Sequence, residues 1–280
     1  MQIEFERAGF VYPDGTPAMR EVSLRIAPGE RVAIAGVNGS GKTTLLKHLI
    51  GLLKPDAGVV RVNGEDTRVK TVAQLARVVG LSFQNTDEQL FSRTVRDEVA
   101  FGGRNLGMNA TRLAEQVDAA MAMFGLSLHS AAHPYDLEPF ERRLVALASV
   151  VAMDTPVLAL DEPTLGQDDR ALAMLASALD TLSRRGKTVI LVSHNLDFCA
   201  EHCDRFIIMQ AGLVVMDASA RDALSRYEAM RDAQLELPQL AQLSEVLGHA
   251  GAALTVNDLL ESLRFSRLEN PSQRQRKDDL

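Results

Sequence analysis

The octapeptide Gly36-Val37-Asn38-Gly39-Ser40-Gly41-Lys42-Thr43 places glycines on both sides of a four-residue gap and follows them with lysine and threonine. That spacing is the pattern of a phosphate-binding loop. The glycines permit backbone conformations in which successive N–H groups turn inward around a phosphate chain. Lys42 can then reach β- and γ-phosphates, and the Thr43 hydroxyl can ligate Mg²⁺. Gly36 to Thr44 are the expected nucleotide contacts. Asp161-Glu162 is the second pair with chemistry in it, following the apolar run Val157-Leu158-Ala159-Leu160. A carboxylate at the end of a buried strand can hold a Mg²⁺ hydration shell, and its neighbour can polarise a water.

These groups need elements to hold them. Arg31 to Ala35 reads as an apolar strand before the loop, and Thr44 to Ile50 has helical apolar spacing after it. The helix start near Lys42 turns its positive dipole end toward the same anions. Further strands are expected at Ile3–Tyr12, Val22–Ile26, Val59–Val62, Val78–Phe83 and Thr188–Val192, with helical text over 94–124, 141–153 and 171–184. Alternating helices and apolar strands predict an α/β fold containing parallel strands with crossover helices. After Ala218 two or three helical stretches follow (222–235, 238–247, 256–263), and the polar segment 266–280 is expected to be disordered.

Composition limits the partners. The 280 residues carry a net charge of −7 and no basic block, which argues against a nucleic-acid partner. The N-terminus carries Glu4 and Glu6 and has no apolar signal-peptide core. The longest apolar or small run, Leu144 to Met153, is far short of the ~20 residues that cross a bilayer. Cys199 and Cys203, with His202 between them, lack a second ligand cluster and read as two reduced thiols on a partly buried helix.

Taken together in chain order, the motifs resemble the ATP-binding-cassette ATPases. Asp161-Glu162-Pro163-Thr164 and Leu165-Gly166-Gln167-Asp168 look like that family's Walker B and D-loop, and Leu191-Val192-Ser193-His194 like its switch histidine. Gln84 resembles the Q-loop glutamine, and Tyr12 stands where the family places an aromatic residue against adenine. The resemblance implies a P-loop NTPase cassette at 1–217, with a mixed sheet core and a helical subdomain at about 94–153. A helical extension at 218–265 would stabilise a dimer. It implies ATP and Mg²⁺ as ligands, Glu162, His194, Gln84 and Lys42 as catalytic residues, and Thr43, Gln84 and Asp161 around the metal.

One motif departs from the family. Its Leu-Ser-Gly-Gly-Gln signature should begin 24 residues before Asp161, and here reads Leu137-Glu138-Pro139-Phe140-Glu141. Glu138 removes a hydroxyl and adds a carboxylate, Pro139 deletes an N–H, and Phe140 adds bulk where glycine is expected. Losing one donor to a developing anion costs on the order of 10²–10³ in rate, so this signature is expected to support hydrolysis poorly. In the family each ATP lies between one subunit's phosphate loop and the other's signature. A heterodimer with a second cassette is therefore favoured over a homodimer.

The branch is legible after Gln84. Asn85-Thr86-Asp87-Glu88-Gln89-Leu90-Phe91 and Thr94 to Gly102 resemble the energy-coupling-factor ATPases, as do Leu235-Glu236-Leu237-Pro238 and Leu254 to Leu260 in the extension. That likeness implies an importer of a vitamin or transition-metal ion. It also implies an integral membrane coupling subunit, a substrate-binding membrane subunit and a peripheral place on the cytoplasmic face of the cell membrane. A soluble cassette ATPase, or a regulatory cassette subunit not tied to transport, is the alternative.

Overall fold

A computed structural model describes residues 2–248 and 251–269. Two sheets organise it. The first is antiparallel, in the order β2-β1-β4-β5, from β1 (Ile3–Val11), β2 (Pro17–Ile26), β4 (Ala57–Val62) and β5 (Glu65–Asp66). The second has the order β10-β9-β3-β8-β7-β6. In it β3 (Arg31–Ala35), β6 (Val79–Ser82), β7 (Val157–Asp161), β8 (Thr188–Val192) and β9 (Arg205–Gln210) run parallel, and β10 (Leu213–Ser219) pairs antiparallel at the edge.

The parallel strands are buried on both faces, and their side chains alternate between two cores. Val157, Ala159, Ile190 and Val192 face a core shared with the antiparallel sheet and with Leu45, Leu46 and Leu49 of α1 (Lys42–Leu49). Leu158, Leu160, Val189 and Leu191 face a larger core that takes in the helices between 95 and 151 and between 169 and 202.

The helical text at 94–153 becomes α3 (Val95–Asn105), α4 (Ala110–Met123) and α5 (Pro139–Val151), preceded by the one-turn α2 (Val72–Leu75). Gly107, at φ 79, breaks what the apolar spacing presents as continuous helix, and Asn109 caps the restart. α6 (Asp169–Arg184) and α7 (Leu196–His202) return the chain to the parallel sheet, capped by Asp168 and Asn195.

Beyond the sheets the chain forms α8 (Ala220–Leu224), α9 (Tyr227–Asp232), α10 (Gln239–Val246) and α11 (Val256–Glu269). The first expected stretch, 222–235, divides in two at Ser225 and Arg226, where α8 ends. α11 runs four residues into the segment expected to be disordered; the rest of that segment, 270–280, lies outside the described residues. Leu235, Leu237 and Ala241 are buried in the larger cassette core, so this segment has no separate core of its own.

Candidate functional site

Between β3 and α1 the chain takes backbone angles that side chains resist. Gly36 sits at φ 154, where a Cβ would overlap the Met209 carbonyl oxygen and lie 2.6 Å from Ser40 Oγ. Gly41, at φ 105 and preceding α1, would overlap the Ala18 carbonyl. Without side chains at these points the loop packs against β9 and β2, and α1 presents its first N–H groups toward the cavity beside it. Lys42 folds back over the loop, its Nζ donating to the carbonyls of Gly36 (2.7 Å) and Val37 (3.0 Å). Burial pushes its ammonium below the usual lysine range, against the pull of Glu162 and Asp161.

Asp161 ends β7 and accepts a hydrogen bond from Thr43 Oγ1 at Oδ2 (2.8 Å). Its Oδ1 is buried and makes no hydrogen bond. Burial raises this carboxyl above the ordinary aspartate range, opposed by the Thr43 bond and by the Lys42, Lys47 and Arg143 cations. A hydroxyl beside a carboxylate with a spare buried oxygen is a set of hard oxygen donors and fits Mg²⁺.

Glu162 follows at φ 50, a left-handed angle that costs a non-glycine residue about 1–3 kcal/mol and is often found where side chains are aimed for chemistry. Its N–H donates to Val192 O (2.8 Å), while its Oε2 accepts from the His194 backbone N–H (3.2 Å). The His194 ring stands 3.3 Å from Glu162 Oε1, but its Nε2–H donates to Asn38 Oδ1 (3.0 Å), which leaves Oε1 without a hydrogen bond. Burial raises the Glu162 carboxyl and lowers the His194 imidazole, so both favour the neutral form more than they would in water.

One cavity of about 400 Å³ gathers Tyr12, Lys42, Thr43, Gln84, Asp161, Glu162 and His194, and Asn38, Gly39, Gly41 and Thr44 also line it. Gly36, Val37 and Ser40 are not among its lining residues; Val37 lines a neighbouring cavity together with Asn38 and His194. Tyr12 is fixed by a hydroxyl contact with Thr44 Oγ1 (3.0 Å) and by the edge of Phe10 at 5.0 Å. Thr16, Pro17 and Ala18 line the same cavity. Sequence reading missed them; the turn after Tyr12, followed at once by a strand start, is the signal that could have placed them.

Leu137 to Glu141 lies elsewhere, at the start of α5. Glu138 is the N-cap, Pro139 occupies the first turn, and Glu141 accepts from the Glu138 N–H (3.0 Å). Phe140 packs against the larger core. These residue types make a well-satisfied helix start. Pro139, Arg142 and Arg143 line a separate cavity of about 230 Å³ together with Asp87 and Gly166.

A third cavity, an apolar groove of about 760 Å³, runs between α2, α3 and α5, and Leu81, Phe83, Phe91, Phe101 and Met153 line it. Phe91 is 62% exposed and meets Phe101 edge-on at 4.6 Å. Gln89 staples the groove wall: its Oε1 accepts from Phe83 N (3.0 Å), and its Nε2 donates to Ala146 O (2.8 Å). Glu98, buried, accepts from the N–H groups of Phe91 (2.9 Å) and Ser92 (2.6 Å). Cys199 and Cys203 are buried free thiols, and among the described residues no cluster of ligating side chains could hold a metal in the way such a pair would need. Among the described residues no helix is long and apolar enough to cross a membrane.

Comparison with known proteins finds a family model described as ABC transporter matching residues 19–165. The energy-coupling factor transporter ATP-binding protein EcfA of Methanothermobacter thermautotrophicus is 37% identical over 261 residues, covering 92% of this chain and 84% of that protein. The protein of the same description from Methanocaldococcus jannaschii is 33% identical over 247 residues, covering 88% of each. Among solved structures, cbiO1 of Clostridium perfringens, described as part of the ABC transporter complex cbiONQ, superposes with a TM-score of 0.72 at 30% identity. It covers 87% of this chain and 98% of its own. A dimeric bacterial ABC transporter cassette superposes with a TM-score of 0.72 at 25% identity, covering 78% of this chain and 99% of its own.

Proposed function

Since the chain belongs to the ABC transporter ATPases, a family of ATP-binding and ATP-hydrolysing transporter subunits, we propose that it serves an energy-coupling-factor importer, as one of two cassettes on the cytoplasmic face of the cell membrane. One observation carries this reading. An alignment of 261 residues cannot fit within 1–217, so the likeness to a protein of that name includes the helical extension as well as the cassette.

The catalytic assignment follows from the cavity. The loop Gly36–Thr44 cradles the phosphates, with Tyr12 against the base. Lys42, released from the Gly36 and Val37 carbonyls, turns its ammonium to the β- and γ-phosphates. Thr43 and Asp161, with Gln84, are the residues that would hold Mg²⁺, whose charge offsets that of the phosphates. Glu162 Oε1 accepts a proton of the attacking water, and His194 donates toward the γ-phosphate. Burial raises both carboxyls in the free chain, and a cation held beside them favours their charged forms.

The separation of Leu137–Glu141 from this cavity supports a site completed by a second chain. With Glu138 and Pro139 in place of donors, a different cassette is the better partner than a copy. Leu243 and Val246 of α10, Leu247 just after it, and Val256 and Leu260 of α11 are exposed apolar side chains suited to holding that pair together. The groove beside Phe91 and Phe101 is suited to an apolar helix of an integral membrane coupling subunit. A further membrane subunit selects the cargo, a vitamin or a transition-metal ion, which this chain does not touch. Hydrolysis coupled to uptake needs no nucleic-acid contact. Affinity purification from native membranes tests the proposal: a second cassette and integral membrane proteins should co-purify. Recovery of soluble partners alone would refute it.

A further inference from the structure

Arg143 lies in the second turn of α5, partly buried, and among the described residues it makes no ion pair. Its Nη1 instead donates to the backbone carbonyl of Glu162 at 3.0 Å. Partial burial pushes the guanidinium below its usual range, and the carboxylates it faces are those of Glu162 and Asp161. A sheltered cation spent on one carbonyl is an unusual placement, because guanidinium groups taken out of water ordinarily find carboxylates.

The carbonyl it holds belongs to a non-glycine residue held at a left-handed backbone angle. Glu162 sits at φ 50 and is fixed at several points: its N–H on Val192 O (2.8 Å), its carbonyl accepting from Leu165 N (3.2 Å) and from Arg143, and its Oε2 accepting from His194 N (3.2 Å). Of these, only the Arg143 bond comes from the helical subdomain. The others come from the end of β8 and the turn itself.

We propose that Arg143 is a positioning residue, holding the left-handed turn that aims the Glu162 carboxylate into the nucleotide cavity and tying that carboxylate to the helix that begins at Pro139. The inference rests on reading Glu162 as the group that activates water. It goes beyond that reading in one respect. The start of α5 and the catalytic carboxylate belong to different half-sites of the same chain, and Arg143 makes a displacement of one felt at the other. What meets Leu137–Glu141 from a partner would then alter hydrolysis at this chain's own phosphate loop.

Arg143→Met and Arg143→Lys test it in the full-length chain. Amide hydrogen exchange requires neither turnover nor partner. In Arg143→Met the amides of 161–167 should exchange roughly tenfold faster, those of β3 and α1 should be unchanged, and the Kd for a non-hydrolysable ATP analogue should move by less than about threefold. Single-turnover hydrolysis by the complex purified from native membranes should fall roughly 10- to 100-fold in kcat. Arg143→Lys keeps a donor and should recover kcat only in part, because an ammonium lacks the planar reach. Unchanged exchange at 161–167 overturns the inference. So does exchange that quickens throughout the cassette, which would make Arg143 a general stabiliser. Glu162→Gln separates the two readings: wild-type hydrolysis in that variant would remove Glu162 as the activating group, whereas the exchange result speaks to Arg143 alone.

Discussion

Replacing Asp161 with asparagine should stabilise the nucleotide-free protein while removing its response to Mg²⁺ and ATP. Asp161 is 3% exposed, and only one of its two oxygens is hydrogen-bonded. Asparagine keeps an acceptor for Thr43 and discards a charge whose burial outweighs the pull of Lys42, Lys47 and Arg143. The asparagine amide N–H2 stays unpaired where Oδ1 was, so the gain is only that of removing a buried charge, about 1–3 kcal/mol, or a rise of roughly 2–6 °C in Tm for a chain of this size. Burial raises the folded carboxyl's pKa above its unfolded value. The wild type therefore has its full stability below the unfolded aspartate range (~3.9) and loses it as pH rises through the folded value. Asparagine does not titrate, so the variant's advantage should open with rising pH and close toward pH 4. Saturating Mg²⁺ and ATP at about 100 Kd should add ~2.7 kcal/mol to the wild type and little to the variant. Thermal and urea unfolding at pH 5 and pH 8, with and without Mg²⁺ and ATP, measure both effects. A variant less stable than wild type at pH 8 without nucleotide, or one that keeps the full nucleotide shift, would refute the reasoning.

Gly36→Ala drives a Cβ into the Met209 carbonyl at φ 154. It should cost about 2–4 kcal/mol and abolish ATP binding; titration with a fluorescent ATP analogue and a urea melt would expose native behaviour if the loop tolerates it. Glu162→Gln should lower kcat on the order of 10²–10⁴ while leaving ATP affinity nearly intact, so a single-turnover rate near wild type counts against Glu162 as the activating group. Restoring donors with Glu138→Ser, Pro139→Gly and Phe140→Gly should raise ATPase activity of the chain assayed alone by on the order of 10². The same triple change should cost roughly 1–3 kcal/mol, as Phe140 packing and the Pro139 start are lost. Cooperative turnover at wild-type Leu137–Glu141 as fast as in the restored variant contradicts the idea. Phe91→Ala with Phe101→Ala should spare ATP binding and reduce recovery of membrane proteins about tenfold or more. Equal recovery would mean that the groove is not the docking site.

What could be read in advance follows from how far apart the participating residues stand in the chain. The phosphate loop was legible because its strand, glycines and helix are contiguous, and each constrains the next. Fully buried strands such as Val157–Asp161 and Thr188–Val192 were legible as short apolar runs. The break between α3 and α4 was not, because apolar spacing continues across Gly107 and only backbone angle and capping mark it. β9 and the edge strand β10 also went unplaced: β10 alternates on a half-exposed edge, where the pattern is weak. Contacts between distant segments left no trace in the sequence. Arg143 is 19 residues from Glu162, and Asn38 is 156 from His194. The departure at Leu137–Glu141 was visible as residue types, while the satisfied helix start those types make emerged only with the Glu138–Glu141 bond.

The extension is anchored where the cassette is busiest. Leu235, Leu237 and Ala241 share a core with Phe198 and Cys199 of α7, and the Gln239 N–H donates to Asp197 Oδ1 at 2.7 Å, a few residues after His194. A chain whose cassette has not folded therefore has nothing on which to lay α10. Any surface that α10 and α11 offer a second subunit exists only on a finished cassette. A second subunit docking on α10 and α11, as proposed above, would therefore find that face only on copies whose nucleotide pocket has been built.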